Sequence, residues 1–195
     1  MIITQKKTEY KEWFMMSKKV LIISSSPRKG GNSETLAAAF AKGAKDAGNQ
    51  VETVFLREKQ YGFCKGCLAC QKLGRCVIND DAAAITEKMH DADVIVFATP
   101  IYYYEMSGQL KTLLDRANSL YSSDYKFRDI YFLSTAAEDG DGVDERAIHG
   151  LGGWIECYPK CRLCGTVFAG GVNGPNEMSG HSALKKAYDM GNSIK

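Results

Sequence analysis

The sequence predicts a single α/β domain built on a doubly wound parallel sheet of five strands, with helices on both faces. Two observations carry that expectation. Short apolar runs rich in β-branched residues alternate with segments of helical spacing, and the runs are continuous, as in strands buried on both faces. The 195 residues contain no Pro-rich or low-complexity divider, so the length is that of one domain. Strand–helix repeats joined by right-handed crossovers then give the doubly wound arrangement.

The elements follow in order. Lys19 to Ser24 is the first strand and the central one. Leu36, Phe40, Ala44 and Ala47 recur at helical spacing, with Asn32 or Ser33 as N-cap and Gly48 at C′. Val51 to Leu56 is a second strand, followed by a cysteine-rich loop over 62–79. Asp80-Asp81 caps a helix over 82–90. Asp93 to Ala98 is a third strand, stopped by Thr99-Pro100. Leu110, Leu113, Leu114 and Ala117 form a helix face, and Asp129 to Leu133 is the fourth strand. A helix over 143–156, a short strand over 166–169 and a helix over 182–190 complete the chain.

Composition narrows the function. With 45% hydrophobic and 25% charged residues, the chain can bury a full core. The net charge is +2 with Lys and Arg dispersed, which points away from nucleic acid and anionic membrane surfaces and toward small molecules. No apolar run approaches the roughly 20 residues of a membrane span. Met1 to Phe14 carries Lys and Glu throughout and lacks a secretory pattern, so a cytoplasmic location is expected. Residues 1–16 read as an extension preceding a domain over 17–195.

Chemistry concentrates at three segments. Ser24 to Thr35, reading Ser-Ser-Ser-Pro-Arg-Lys-Gly-Gly-Asn-Ser-Glu-Thr, links the first strand to its helix through Gly30-Gly31. Such a turn aims backbone N–H groups and a helix dipole at one point, which suits an anion. Ser26, Ser33 and Thr35 offer hydroxyls, Asn32 an amide, and Arg28 a fork matched to phosphate. Neither a Walker loop nor a Gly-x-Gly-x-x-Gly turn is present. Thr99 to Tyr104, with three consecutive tyrosines, follows the third strand at the carboxyl edge, where ligands of open α/β sheets collect. Ser134 to Ala137 follows the fourth strand on the same edge.

Ser-Pro-Arg-Lys-Gly-Gly-Asn-Ser, Thr-Pro-Ile-Tyr and Gly-Gln-Leu-Lys-Thr-Leu-Leu-Asp-Arg (108–116) together resemble the NADPH-dependent FMN reductase family. Within it, the spacing Cys64-x2-Cys67-x2-Cys70-x5-Cys76 most resembles the iron-sulfur flavoprotein branch. The resemblance implies a flavodoxin-like fold, bound FMN, NADPH or NADH as electron donor, and a homodimer or homotetramer completing the flavin pocket. It implies electron transfer to a quinone, nitro or azo compound, flavin or protein acceptor; the alternative is relay between protein partners. Ser26, Arg28, Asn32, Ser33 and Thr35 would hold the phosphate, within a turn that also includes Ser24 and Glu34. Pro100, Ile101, Tyr102 and Tyr103, with Ser134, Thr135, Ala136 and Ala137, would contact the ring and ribityl chain. The flavin does the chemistry, so no catalytic side chain is assigned.

Cys64, Cys67, Cys70 and Cys76 follow C-x2-C-x2-C-x5-C, close to a ferredoxin run, although the Pro that follows the last Cys of bacterial ferredoxins is missing. A 4Fe–4S cluster, a zinc ion and a reduced loop without metal are the three readings. Gly66 and Gly74 would let the loop curl, and Lys65, Lys72 and Arg75 would offset thiolate charge. Cys157, Cys161 and Cys164 lack a fourth ligand and read as packing or surface thiols.

Overall fold

The structure is a computed structural model that describes residues 17–195; the extension expected over 1–16 lies outside the described residues. Five parallel strands form the sheet: β1 (Lys19–Ser24), β2 (Gln50–Phe55), β3 (Val94–Tyr102), β5 (Asp129–Thr135) and β6 (Arg162–Ala169). Their order is β2-β1-β3-β5-β6, and a two-residue strand, β4 (Glu105–Met106), pairs antiparallel with the end of β3. The helices are α1 (Asn32–Asp46), α2 (Ala69–Leu73), α3 (Asp81–Asp91), α4 (Gly108–Arg116), α5 (Glu145–Glu156) and α6 (Ser182–Asn192). This is the flavodoxin-like order, with the direction of strand addition reversing between β1 and β3 while the strands stay parallel.

The apolar runs are continuous because both faces are covered. Leu21, Ile23, Ile95, Phe97, Ile130 and Phe132 point to the layer of α3, α4 and α5. Val20, Ile22, Val94, Val96 and Leu133 point to α1 and α6. Successive residues thus enter opposite cores, as the two-residue period requires. On the second face α1 and α6 cross at van der Waals distance: a Cβ on Gly43 would overlap the Tyr188 carbonyl, and one on Gly191 the Phe40 carbonyl. Among the described residues no helix is long and apolar enough to cross a membrane.

Several boundaries differ from the expectation. β3 does not stop at Thr99-Pro100 but runs to Tyr102, because β5 continues alongside it as far as Pro100, opposite Thr135, and β4 then pairs with Ile101 and Tyr102. Ser134 and Thr135 therefore belong to β5 rather than to the loop after it. β6 begins at Arg162, four residues earlier than expected, and α5 begins at Glu145. The N-cap of α1 is Gly31, not Asn32 or Ser33. Gly48 does occupy the left-handed conformation after the helix, at φ +90°.

Candidate functional site

The carboxyl edge of the sheet is assembled by buried hydroxyls. Ser25 donates through its amide to the Ala98 carbonyl (2.8 Å), and the Ser107 hydroxyl donates to Ser25 Oγ (2.9 Å). The Ser107 amide donates to Thr99 Oγ1 (3.0 Å), and Ser107 itself caps α4. The ends of β1 and β3 are thereby fixed to the head of α4.

From this anchor the chain turns through Gly30, at φ +66°, into α1. Ser26 Oγ donates to the Arg28 carbonyl (2.9 Å) and shapes the turn, and Gly31 packs so closely that a Cβ there would lie 2.5 Å from Ser26 Oγ. Gly31 caps the helix without a side-chain acceptor. Among the described residues the amides of Asn32, Ser33 and Glu34 meet no acceptor, since the first return bond is Thr35 to Gly31. A 15-residue helix thus presents a free, dipole-positive end to the crevice.

The surroundings suit a phosphate monoester at that end. Glu34, the one nearby carboxylate in the first turn, is neutralised by Arg57 (2.6 Å) and also accepts from the Gly30 amide (3.1 Å). Asn32 donates to the Gly174 carbonyl, leaving its buried Oδ1 without a donor, which a ligand hydroxyl would supply. Arg28 donates from Nη1 to the Asn173 carbonyl (2.7 Å), so its guanidinium is held at the rim with donors to spare. The residues present fit FMN.

The crevice has a volume of about 180 Å³. It brings together Ser26, Arg28, Asn32 and Ser33 of the turn, Pro100, Ile101 and Tyr102 of β3, and Thr135, Ala136 and Ala137 at the end of β5. Outside its lining stand Ser24, Glu34, Thr35, Tyr103 and Ser134. Ser134 donates to the buried Asp144 (2.6 Å), and Thr35 Oγ1 donates to the Gly31 carbonyl (3.1 Å). Tyr103 is 98% exposed at the tip of the β3–β4 hairpin, where it and Tyr104 both adopt positive φ (51° and 66°). Tyr104 holds that hairpin by donating to Glu138 (3.0 Å), with Arg146 over its ring. The sequence reading missed Val172 and Asn173, which close the crevice from the segment after β6. Gly170-Gly171 directly after a strand was the available signal. A groove of about 660 Å³ lies at the opposite sheet edge, lined by β1, β2 and α3 and bordered by the Lys88–Glu52 pair; it gathers the C-terminal end of α3, at Asp91 and Ala92, which repels an anion, so size does not locate the site.

The cysteine loop packs beside the far end of α4. Gly66, Leu68 and Gly74 adopt positive φ and fold it around the five-residue α2. Cys64 and Cys67 are exposed, Cys70 and Cys76 half-buried. Among the described residues no three Cys, His, Asp or Glu side chains are grouped to hold a metal. The donor chemistry nevertheless fits an iron–sulfur group: Cys76 Sγ accepts from Arg116 Nη2 (3.4 Å) and Cys70 Sγ from Asn118 Nδ2 (3.2 Å). N–H groups directed at sulfur are the outer-shell partners such clusters use. Burial pushes the Asp80 carboxyl up, but hydrogen bonds from Arg116 and from the Gly62 and Ala82 amides outweigh it and leave the group below its ordinary range.

The second cysteine group is dispersed. Cys161 lies against the Phe127 carbonyl (3.5 Å), its thiol pushed up to about 11 by burial, and Cys164 lies against Asp129 (3.3 Å). Cys157 ends α5.

Comparison with known proteins agrees with this geometry. The family model described as NADPH-dependent FMN reductase matches residues 18–159. An iron-sulfur flavoprotein of Methanosarcina thermophila is 34% identical over 79% of this chain and 81% of its own length. One from Methanocaldococcus jannaschii is 38% identical over 52% of this chain and 53% of its own, so there the match spans about half the relative. In fold, the NAD(P)H:quinone oxidoreductase from Methanothermobacter marburgensis superposes with TM-score 0.71 at 18% identity, covering 92% of this chain and all of that one. An azoreductase from Bacillus anthracis gives 0.67 at 17%, covering 90% and 99%. With a free helix end, three converging sheet-edge segments and a C-x2-C-x2-C-x5-C loop on one scaffold, the chain belongs to the NADPH-dependent FMN reductase family, on its iron-sulfur flavoprotein branch.

Proposed function

We propose that this chain is an iron–sulfur flavoprotein that relays electrons between protein partners through FMN in the crevice and a cluster on the cysteine loop. One observation carries the reading: α4 is bolted at its head to the turn after β1 through Ser107 and Ser25, and at its tail to the cysteine loop through Arg116. The two redox sites would thus share one rigid element. FMN, when bound, accepts a hydride or single electrons and returns them singly or in pairs.

The side chains bind and orient. Ser33, with the free amides of α1, would take the phosphate, and Arg28 would close over it from the rim. Asn32 Oδ1 would accept from a ribityl hydroxyl, and the backbone at Pro100 to Tyr102 and Thr135 to Ala137 would align the ring. A crevice of about 180 Å³ is smaller than the ~300 Å³ of ordinary small-molecule sites. A second copy of the chain, in a homodimer or homotetramer, would therefore complete the pocket. Cys64, Cys67, Cys70 and Cys76 would ligate the cluster after the exposed arm closes onto the tethered pair.

A second reading has NADH or NADPH reduce the flavin, which passes electrons directly to a small acceptor. The tyrosines exposed at the crevice rim favour it. Purification without oxygen, followed by flavin, iron and acid-labile sulfide assays, separates the two. The relay expects one FMN with about four irons and four sulfides per chain, and slow nucleotide oxidation with a quinone. FMN without iron, together with rapid NADPH or NADH turnover, would establish the second reading and end the first.

A further inference from the structure

Arg116 is the last residue of α4, and its side chain is 1% exposed. A guanidinium cannot lose its charge inside the protein, so burying it is costly unless every donor is used. Here Nη1 donates to Asp80 Oδ2 (2.6 Å) and the Gly62 carbonyl (2.8 Å). Nη2 donates to Asp80 Oδ1 (2.7 Å), the Ile78 carbonyl (3.3 Å) and Cys76 Sγ (3.4 Å). Nε is buried without a partner. The contacts have a pattern. Gly62 lies just before the first of the four cysteines and Ile78 just after the last, so one side chain holds both ends of the loop and touches a sulfur between them. Asp80 orients it by a two-point pair while also capping α3 and accepting from the Gly62 amide (3.3 Å).

We infer that Arg116 is the positioning residue of the cysteine loop: its fork, held by Asp80, fixes the loop ends on α4 and sets the electrostatics at Cys76. Asn118, two residues on, does the same for Cys70 through a single N–H. The four cysteines thereby divide into a tethered pair, Cys70 and Cys76, and an exposed arm, Cys64 and Cys67. α4 spans about 14 Å from Ser107 to Arg116 at 1.5 Å per residue. Arg116 therefore also sets how far the loop stands from the phosphate turn. The inference rests on the proposed cluster for its redox consequence, and on the hydrogen bonds alone for the anchoring.

N–H donation and positive charge at a ligand sulfur favour the reduced, more negative state of a cluster. Lys keeps the charge but cannot reach two carbonyls, a carboxylate and a sulfur together, so Arg116→Lys and Arg116→Gln separate fork from charge. Asp80→Asn is the milder variant, because Asn still caps α3 while weakening the pair.

The test uses the full chain with FMN bound. Amide hydrogen exchange over 62–79, measured without metal, should accelerate about tenfold in all three variants, with FMN affinity unchanged. After anaerobic loading with iron and sulfide, Arg116→Gln should lower the cluster's reduction potential by a tenfold shift in its redox ratio, about 59 mV for one electron. Arg116→Lys should lower it less. Loop exchange at the wild-type rate in the folded variants would overturn the anchoring, and an unchanged potential in Arg116→Gln would overturn the electrostatic role. If the wild-type chain takes up no iron and sulfide, the relay reading fails on that assay, and the exchange measurement still decides the anchoring.

Discussion

At the scale of single residues, Gly31 and Gly30 make adjacent but different demands. Gly31 has ordinary extended backbone, so its requirement is space: a Cβ would lie 2.5 Å from Ser26 Oγ and 3.2 Å from the Arg28 carbonyl. Gly30 has open space around it but a φ of +66°, so its requirement is conformational. Gly31→Ala should push apart the two residues that shape the phosphate turn and weaken FMN binding about tenfold, or ~1.4 kcal/mol. Gly30→Ala should cost about 1 kcal/mol of folding stability with a smaller loss of affinity. Flavin fluorescence titration of the apoprotein reads the first and thermal melting the second. Equal FMN affinities for Gly31→Ala and wild type would remove the turn from the phosphate site. The sequence showed the glycine pair but not this division of labour, because φ and close approach are set by the folded turn.

At the scale of elements, Pro100 shows why the strand ends were hard to read. A proline in an apolar run is an ordinary stop signal, since it cannot donate to a ladder. In a parallel strand the N–H and C=O of one residue face the same neighbour, and residues two apart face alike. The Ala98 carbonyl accepts from Ser25, so Pro100 also faces the β1 side, where β1 has already ended at Ser24. No donor is missed there; pairing with β5 carries β3 through Pro100, and antiparallel pairing with β4 carries it on to Tyr102. Such a rescue is tertiary and has no local signature. The crossing of α1 and α6 was equally invisible, because Gly43 in a helical pattern is usually a mere weakness. Here Gly43 and Gly191 let the two backbones touch. Gly43→Ala should therefore destabilise despite the better helix propensity of Ala, by about 1–3 kcal/mol of overpacking. At ~2–4 °C per kcal/mol for a chain of this size, the melting temperature should fall by several degrees. A rise instead would mean that the helices separate freely.

At the scale of the whole molecule, the alternation of strands and helices, the glycine turn between β1 and α1 and the cysteine spacing were legible because each is written in contiguous residues. The contribution of Val172 and Asn173 and the role of Arg116 were not, because they join segments distant along the chain. Charge distribution lies between these cases, readable in sequence but meaningful only on the surface. From Lys59 to Asn79 there are four cations, Lys59, Lys65, Lys72 and Arg75, and no carboxylate, although the whole chain nets only +2. The same loop exposes Phe63 (80%), Leu68 (58%), Leu73 (57%) and Val77 (48%), an apolar surface rimmed by positive charge. If electrons leave or enter through this loop to a protein, an acidic partner should be steered to it, and steering between exposed charges is screened over about 10 Å at 0.1 M salt. The rate of electron exchange with a small acidic redox protein should then fall about tenfold between low salt and 0.5 M, and Lys72→Glu should reproduce much of that loss at low salt. Exchange with an uncharged quinone at the crevice should be nearly indifferent to both changes. Stopped-flow traces of flavin absorbance with each reagent make the comparison. An equal salt response for protein and quinone, or a Lys72→Glu chain as fast as wild type, would mean that the basic loop is not the docking surface and that the relay has to run through the crevice mouth.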